Sequence, residues 1–338
     1  MIQASSAIIG GASGAAGSGS GDSAGTGGYG VVGHDLTILN AGTIIGGQDA
    51  HGGNVAAVDF TGGTNVYSTV GSANRNLLVD SFIIASGSLT LDQSLQAASA
   101  TYGGVTGGGS LIIDSGKHSV TLTGTTDVAG GVTVDEGSSL VLNNLGSGAT
   151  ISAALSMLKG ASVTLAYGAT VSGKLSMADN TAIALKGSAL LSGNVVVSGT
   201  STFNVTGTNS VGAITGSGNI VVLGASGTVG NDVLTMTGAS NYTGTTTIGD
   251  GTVNHAVQLT ASGANDFSAT SVTTVNTNGT VDLGGGQPDD QPCEPCRRHI
   301  AKRQPDQRGL LLGRLCVWDQ RQRQPDDHRR EYHAIGQQ

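Results

Sequence analysis

Apolar residues recur along this chain in short alternating pairs, and between residues 151 and 211 the pairs themselves recur every twenty residues. Ile151, Val171 and Leu191 open successive rows and Val211 begins a fourth. Four residues further on come Leu155/Met157, Leu175/Met177 and Val195/Val197, and eight after those come Val163/Leu165, Ile183/Leu185 and Phe203/Val205. The preceding coil has the same grammar with three residues inserted (Val128, Val132/Val134, Leu140/Leu142), and one more precedes it (Leu111/Ile113, Val120/Leu122). Alternation at a period of two, punctuated by Gly, Ser, Thr, Asn and Asp, is the mark of strands. A unit this short cannot bury its own apolar face, so it must stack on copies of itself. The pattern predicts an all-β solenoid, a single-stranded right-handed parallel β-helix of about 20 residues per coil, with three strands per coil stacked about 4.8 Å apart. A dozen coils would span about 60 Å. The paired positions point inward, and Thr133, Ser156, Thr164 and Ser176 between them point to water. Val141 and Val196 break that outer polarity and read as packing against a loop. The twenty-residue columns drift between 212 and 230, which predicts a corner loop or insertion there.

Composition supports strands over helices. The 57 glycines would each cost a helix roughly 1 kcal/mol against Ala, and no window shows apolar residues at helical spacing. With 338 residues, 11% charged and 3% aromatic, the chain has little with which to build a conventional core, and a quasi-one-dimensional fold answers that. The 38% of apolar residues in regular alternation argue against disorder for residues 30–285. Residues 10–28, almost all Gly, Ala and Ser, fit disorder and a loosely stacked first coil equally well. The chain therefore divides into a low-complexity segment (1–28), a β-helix (29–286) and a tail (287–338). Residues 1–20 lack the basic start and apolar run of an export signal, the stretch around Ile8 and Ile9 being too short, and no run has the eighteen apolar residues of a membrane helix.

At residue 287 the composition inverts. Up to Gly286 there is no Pro, Cys or Trp, and five basic residues (Arg75, Lys117, Lys159, Lys174, Lys186) face fifteen acidic ones, a formal charge of −10. All five prolines, all three cysteines, Trp318 and ten of the fifteen Lys and Arg lie in the last 52 residues. One reading of the tail is a small zinc site from Cys293, Cys296 and His299, with Cys316, His328 and His333 as further ligands and the arginines as a nucleic-acid surface. A lone C-x-x-C without periodic apolar support argues weakly for it. The other reading is a frameshift near Gly286. In a frame offset by one nucleotide, Gln287–Gln291 can be written with codons that spell Asn-Gln-Thr-Ile-Asn. With the same offset Pro292–Gly309 permit Leu-Val-Asn-Leu-Ala-Gly-Gly-Thr-Leu-Gln-Asn-Gly-Asn-Leu-Thr-Ser-Gly, and Asp319–Gln338 permit a similar text. One constant offset restores the Gly, Asn, Thr and Leu alternation of the body.

The segment Leu234-Thr235-Met236-Thr237-Gly238-Ala239-Ser240-Asn241-Tyr242-Thr243-Gly244-Thr245-Thr246-Thr247-Ile248-Gly249-Asp250-Gly251 resembles the passenger-associated transport repeat of bacterial autotransporters, with Met236 where Leu is commoner. Residues 29–65, from Tyr29-Gly30-Val31-Val32-Gly33 to Ala57-Val58-Asp59-Phe60-Thr61-Gly62-Gly63-Thr64-Asn65, also look like autotransporter passenger sequence. The resemblance implies a β-helical passenger carried to the surface of a Gram-negative bacterium, or secreted, through an outer-membrane translocator barrel, with adhesion as a frequent role. The chain itself contains neither an export signal nor the barrel's alternating ten-residue strands, so it reads as a passenger fragment. Leu234, Met236 and Ile248 are expected to point inward and Tyr242 to cap a corner.

Candidate chemistry is sparse. Polysaccharide-cutting β-helices gather carboxylates and basic groups on adjacent coils, whereas the aligned columns here show no carboxylate stack: Asp179 falls opposite Lys159 and Gly199, and Asp135 and Glu136 stand alone in their coil. His34, His51, His118 and His255 sit in polar turns and read as solvated surface residues. Gly17-Ser18-Gly19-Ser20-Gly21 lacks the helix and Lys of a phosphate loop, Gly21-Asp22 is one incomplete echo of a calcium repeat, and Asn204-Val205-Thr206 and Asn241-Tyr242-Thr243 fit the glycosylation sequon, of little weight in a bacterium. No catalytic, cofactor-binding or metal residue is assigned, and no cofactor. The expected function is a structural display scaffold and adhesin, not an enzyme, with glycans or proteins of a host or neighbouring cell as partners and no nucleic acid. The alternative is a polysaccharide-active β-helix enzyme.

Overall fold

The computed structural model describes residues 7–12, 27–49, 55–70, 79–143, 148–225, 231–252 and 255–284, the side chains of 79 and 80 excepted. These residues form strands and turns without a helix, and the strands pair in parallel as a β-solenoid of about nine turns at roughly 22 residues per turn. Nine turns at about 4.8 Å correspond to about 40 Å, shorter than a dozen coils would give.

Each turn places three strands on three faces, illustrated by Leu155–Met157 on the first, Ser162–Ala166 on the second and Thr170–Val171 on the third. The first face alone stacks nine strands, from Thr37–Asn40 to Ile214–Gly216. The twenty-residue columns are inward files in strict register. Ile151 pairs with Val171, Val171 with Leu191 and Leu191 with Val211. Leu155 pairs with Leu175 and that with Val195, while Val163 pairs with Ile183 and that with Phe203. All of these side chains are buried. Because side chains alternate across a strand, a register error of one residue would turn each file outward. Hydrophobic burial therefore fixes the register, and main-chain hydrogen bonds between rungs supply the polar satisfaction that a stacked coil needs.

Corners between the first and second faces need a left-handed residue. Gly137, Gly160 and Asn180 occupy that corner in successive rungs with φ of 67°, 72° and 56°. Glycine adopts this conformation without a Cβ penalty, and Asn is among the side chains that tolerate it best.

Three expectations shift in detail. Val128 does not join the file of Ile151: Thr126 pairs with Ile151, while Val128 pairs with Gly107. The next coil is reached sooner along the chain at Val132/Leu155 and Leu140/Val163 than at Thr126/Ile151. The excess is one full alternation, so inward residues stay inward, and the cost is a buried Thr126 hydroxyl without a hydrogen-bond partner. Val141 and Val196 lie between Thr121 and Thr164, and between Ser176 and Thr215, in outward files; they pack along the sheet surface rather than against a loop. Tyr242 is wholly buried instead of sitting at the rim of a corner. Backbone bonds from Asn241 to Ile214 (3.0 Å) and from Thr243 to Gly216 (2.9 Å) carry the first face one rung further and set Tyr242 over Gly216. The ring lies buried in the lumen, and its hydroxyl pairs with Thr246 at 2.6 Å. Leu234, Met236 and Ile248 point inward as expected.

The irregular coil is placed by its steps. Phe203 pairs with Val222, but a few residues later Asn209 pairs with Leu234, a wider offset, so the additional residues enter between Gly224 and Val233. At the N-terminal end, Ala7–Ile9 pairs in parallel with Thr43–Ile45, which puts Ile8 against the core. The Gly/Ser/Ala stretch 13–26 and the tail 287–338, with its Cys and His positions and its frame, lie outside the described residues.

Candidate functional site

The outer surface offers three arrangements to weigh. The largest is a pair of outward files on the second face. Ser162, Ala182, Thr202 and Val221 succeed Ser139 in one, and Thr164, Ala184, Asn204 and Leu223 succeed Val141 in the other. On the first face a third file runs Thr37, Val66, Thr90, Ile112, Thr133, Ser156, Ser176, Val196 and Thr215. None of these side chains carries a charge. They present hydroxyls and methyls about 4.8 Å apart along the stack. Such a surface can make many weak polar and apolar contacts to an extended partner, and it contains nothing that moves protons at neutral pH.

The second arrangement corrects an expectation. A carboxylate stack does exist: Asp92 and Asp114 pair in register, and the Asp135 amide donates to the Ile113 carbonyl at 3.0 Å, which seats Asp135 over Asp114. Burial, and then the charges of Asp92 and Asp135, push the Asp114 carboxyl above the ordinary aspartate range. The stack stayed hidden because the coils from 88 to 143 depart from the regular step and because Asp92 lies outside the coils that align by eye. On the next rungs the position passes to Leu158, Ala178 and Ser198, whose amides donate to Val134, Met157 and Met177. Asp92 also caps its own turn, its Oδ1 accepting from the Ser94 amide at 2.8 Å and the Ser94 hydroxyl at 2.6 Å.

The third arrangement is the pair of histidine–aspartate contacts. His34 Nδ1 lies 3.0 Å from Asp35 Oδ2, and Asp35 Oδ1 accepts from the Thr64 amide at 2.9 Å. The His34 hydrogen bond, then that amide, hold the Asp35 carboxyl below its ordinary value. His255 Nδ1 lies 2.5 Å from Asp250 Oδ2, while Asp250 Oδ1 accepts from the Thr252 amide and hydroxyl. The two Thr252 bonds and the His255 bond bring Asp250 down to about 2. Among the described residues no serine, threonine or cysteine nucleophile is hydrogen-bonded to either imidazole, so the contacts serve their turns. The His118 amide closes a turn onto the Ser115 carbonyl at 3.0 Å, and His51 lies outside the described residues.

Three further aspartates are spent on the backbone. Asp179, opposite Lys159 in sequence, accepts from the Thr200 amide at 3.0 Å. Asp232 accepts from the Gly207 and Ala225 amides, and Asp266 from the Ser262 and Gly263 amides. Among the described residues no group of three or more His, Cys, Asp or Glu is arranged to hold a metal ion.

Inside the solenoid is an arrangement that the sequence did not announce. Tyr67, Phe82 and Tyr102 meet edge to face with centroids 5.0–5.7 Å apart, and Phe60 stacks on Phe82 at 6.2 Å. Asn40 donates to the Tyr67 hydroxyl at 2.6 Å, and Gln93 (2.9 Å) and Thr69 (2.9 Å) serve Tyr102. Burial pushes both phenols well above their ordinary value. The rings are sealed in the lumen and serve packing.

Comparison with known proteins adds no name to this geometry: no family model, no curated protein and no solved structure matches the chain.

Proposed function

We propose that the chain is a structural display scaffold, an autotransporter-like passenger fragment that carries a weakly charged hydroxyl-and-methyl surface on a stiff stack of coils and adheres through it. The observation that carries this reading is the set of outward files on the first two faces, uncharged and in register over successive rungs. Adhesion by such a surface is a sum of shallow contacts, so it depends on stiffness and repetition rather than on one pocket. The partners that suit it are glycans or proteins of a host or neighbouring cell, which offer uncharged hydrogen-bonding groups, whereas a phosphate backbone would be repelled by an acidic protein. Display at the surface of a Gram-negative cell, through a translocator barrel, is the part of the proposal that rests on the resemblance of residues 234–251 to a passenger-associated transport repeat.

The second reading, a polysaccharide-active β-helix enzyme, is favoured by one observation, the Asp92–Asp114–Asp135 stack with its raised central carboxyl. Such chemistry asks for an acid, a base and charge stabilisation together. One experiment separates the two readings. The full chain is applied to immobilised surface polysaccharides while released reducing ends are scored. The scaffold reading expects retention without turnover, with retention falling in small steps as Thr164 and Thr202 are changed to Asp. Turnover that disappears in Asp114→Asn would replace the scaffold reading with the enzyme.

A further inference from the structure

The two ends of the solenoid are built differently. At the N-terminal end the chain lays glycine on glycine: the Gly28 amide donates to Gly11 and the Gly47 amide to Gly28, each at 2.7 Å. Among the described residues that layer closes glycine-to-glycine hydrogen bonds and packs Ile8 alone against the core, so it offers little open core to its surroundings.

At the C-terminal end the inward files stop in the open. On the second face Val163, Ile183, Phe203, Val222 and Ile248 are each at most 1% exposed, yet Val275, the next residue in register, is 43% exposed. On the third face Val211, Met236 and Ala261 are at most 4% exposed, and Leu283, which follows Asp282 opposite Thr260, is 65% exposed. Val281, paired with Leu259 between them, is only partly buried. These residues continue files whose earlier members fill the lumen, so they point into a core that no further described strand covers. The strands Thr273–Val275 and Gly279–Asp282 pair on one side, with Thr246–Ile248 and Val257–Ala261, and they are the last strands of their ladders.

We propose that this edge is the acceptor for one further coil, an uncharged Gly/Asn/Thr/Leu segment that adds in parallel to Thr273–Val275 and Gly279–Asp282 and lowers apolar side chains onto Val275, Val281 and Leu283. Main-chain bonds supply affinity for a strand added to a sheet edge, and the alternate side chains supply specificity. The occupant must be extended, because both edge strands need backbone partners. It must also be apolar at alternating positions, because the open files are. Among the described residues, a second copy of this chain stacked head to tail would bring Gly10, Gly11, Gly28 and Gly47 with Ile8 as that layer's one core-packed side chain, too few to fill three open positions. The text that the offset frame permits after Gly286, Asn-Gln-Thr-Ile-Asn-Leu-Val-Asn-Leu-Ala-Gly-Gly, has the alternation and lacks charge. The acceptor is defined by strands and burial alone, so it stands whether or not the surface-display reading holds.

The test compares amide hydrogen exchange at residues 273–283 in the full chain and in a chain whose residues after Gly286 follow the offset-frame text. The expected result is exchange at least ten-fold slower in the second chain, and a return to the faster rate when Val275→Asp and Leu283→Asp are added to it. Rates within two-fold of each other would overturn the proposal. Should the altered chain fail to fold, a labelled peptide of the same text is titrated into the full chain and read by fluorescence anisotropy. Saturable binding lost in the V275D/L283D variant supports the acceptor, and absence of binding overturns it.

Discussion

Two stretches of the same solenoid fill their lumens by different means. Between Ile151 and Val211 the coil step is constant, Ile151 pairing with Val171, Val171 with Leu191 and Leu191 with Val211, and the interior is made of aliphatic side chains stacked on their equivalents. Between Val58 and Val105 the steps are longer and unequal, Val58 pairing with Phe82 and Phe82 with Val105. There four aromatic rings join the aliphatic side chains of the interior, with an amide or hydroxyl reaching each phenol. A longer coil encloses more volume, larger side chains fill it, and the polar tips of those side chains then need partners inside. A fixed step lets each rung copy the packing of its neighbour, whereas a variable step forces each rung to solve its packing once.

The largest effect expected from that contrast is a substitution in the aromatic lumen. Phe82 touches Phe60, Tyr67 and Tyr102, so Phe82→Ala leaves a cavity bounded by rings that hydrogen bonds hold in place, and such a cavity collapses poorly. A loss of about 3–5 kcal/mol is expected. Ile183→Val in the regular stretch removes one methylene from a file that repeats above and below it, and about 0.5–1.5 kcal/mol is expected. Urea unfolding followed by hydrogen exchange checks both size and place: F82A should speed exchange in residues 58–107 first. Equal losses at the two sites, or uniform acceleration along the chain, would remove the distinction between the two lumens.

The difference between the stretches also governs what the sequence reveals. Residues 151–211 were legible to the residue, since a constant step aligns Leu155 with Leu175 and Val163 with Ile183 without any structural knowledge. Thr126 was not, because a slide by one full alternation on a single face leaves no trace in the hydrophobic pattern. Tyr67 and Tyr102 are inconspicuous in sequence for a related reason: their partners Asn40, Thr69 and Gln93 lie 9 to 33 residues away, a separation set by coil lengths that vary. The carboxylate stack needed two unequal steps, from Asp92 to Asp114 and from there to Asp135, neither of them the step of the regular coils. Tyr242 reads as a corner residue because its surroundings are turn-like, whereas the backbone bonds of Asn241 and Thr243 to the rung before carry it into the lumen.

That carboxylate stack lies where the two kinds of stretch meet, and it offers an intermediate effect with a definite sign. The folded-state value of Asp114 lies above the 3.8 of an unperturbed aspartate, so the folded chain holds this proton more tightly than the unfolded chain does. The contribution is neutral when both states are protonated, and stability is lost as pH rises from below 3.8 through the raised value. Asp114→Asn keeps the shape and removes the repulsion from Asp92 and Asp135. It should therefore raise stability at pH 7 by about 0.2–1 kcal/mol, the scale of a cross-strand like-charge contact screened by solvent. Melting temperatures of the two chains should draw together at pH 3 and separate at pH 7, with the variant the more stable. A variant less stable at neutral pH would show that the carboxylate is held by attractive contacts instead.

The smallest effect belongs to a turn and carries the opposite sign. Asp250 is brought down to about 2 by two bonds from Thr252 and one from His255, so its contribution is fully present above pH 3.8 and is lost as pH falls from there through about 2. The group is exposed and screened by solvent, and it orders the Gly249–Thr252 turn without reaching the lumen. Asp250→Asn should accordingly leave unfolding at pH 7 nearly where it was and should abolish the low-pH titration of this carboxyl, read from its carbon chemical shift. Asp250→Ala goes one step further, since it also takes the acceptor from the Thr252 amide, and exchange of that amide should quicken while the amides of the buried files keep their rates. A turn can thus be chemically well organised and contribute little to the stack, whereas the rings around Phe82 show no chemistry at the surface and are expected to hold the N-terminal rungs together.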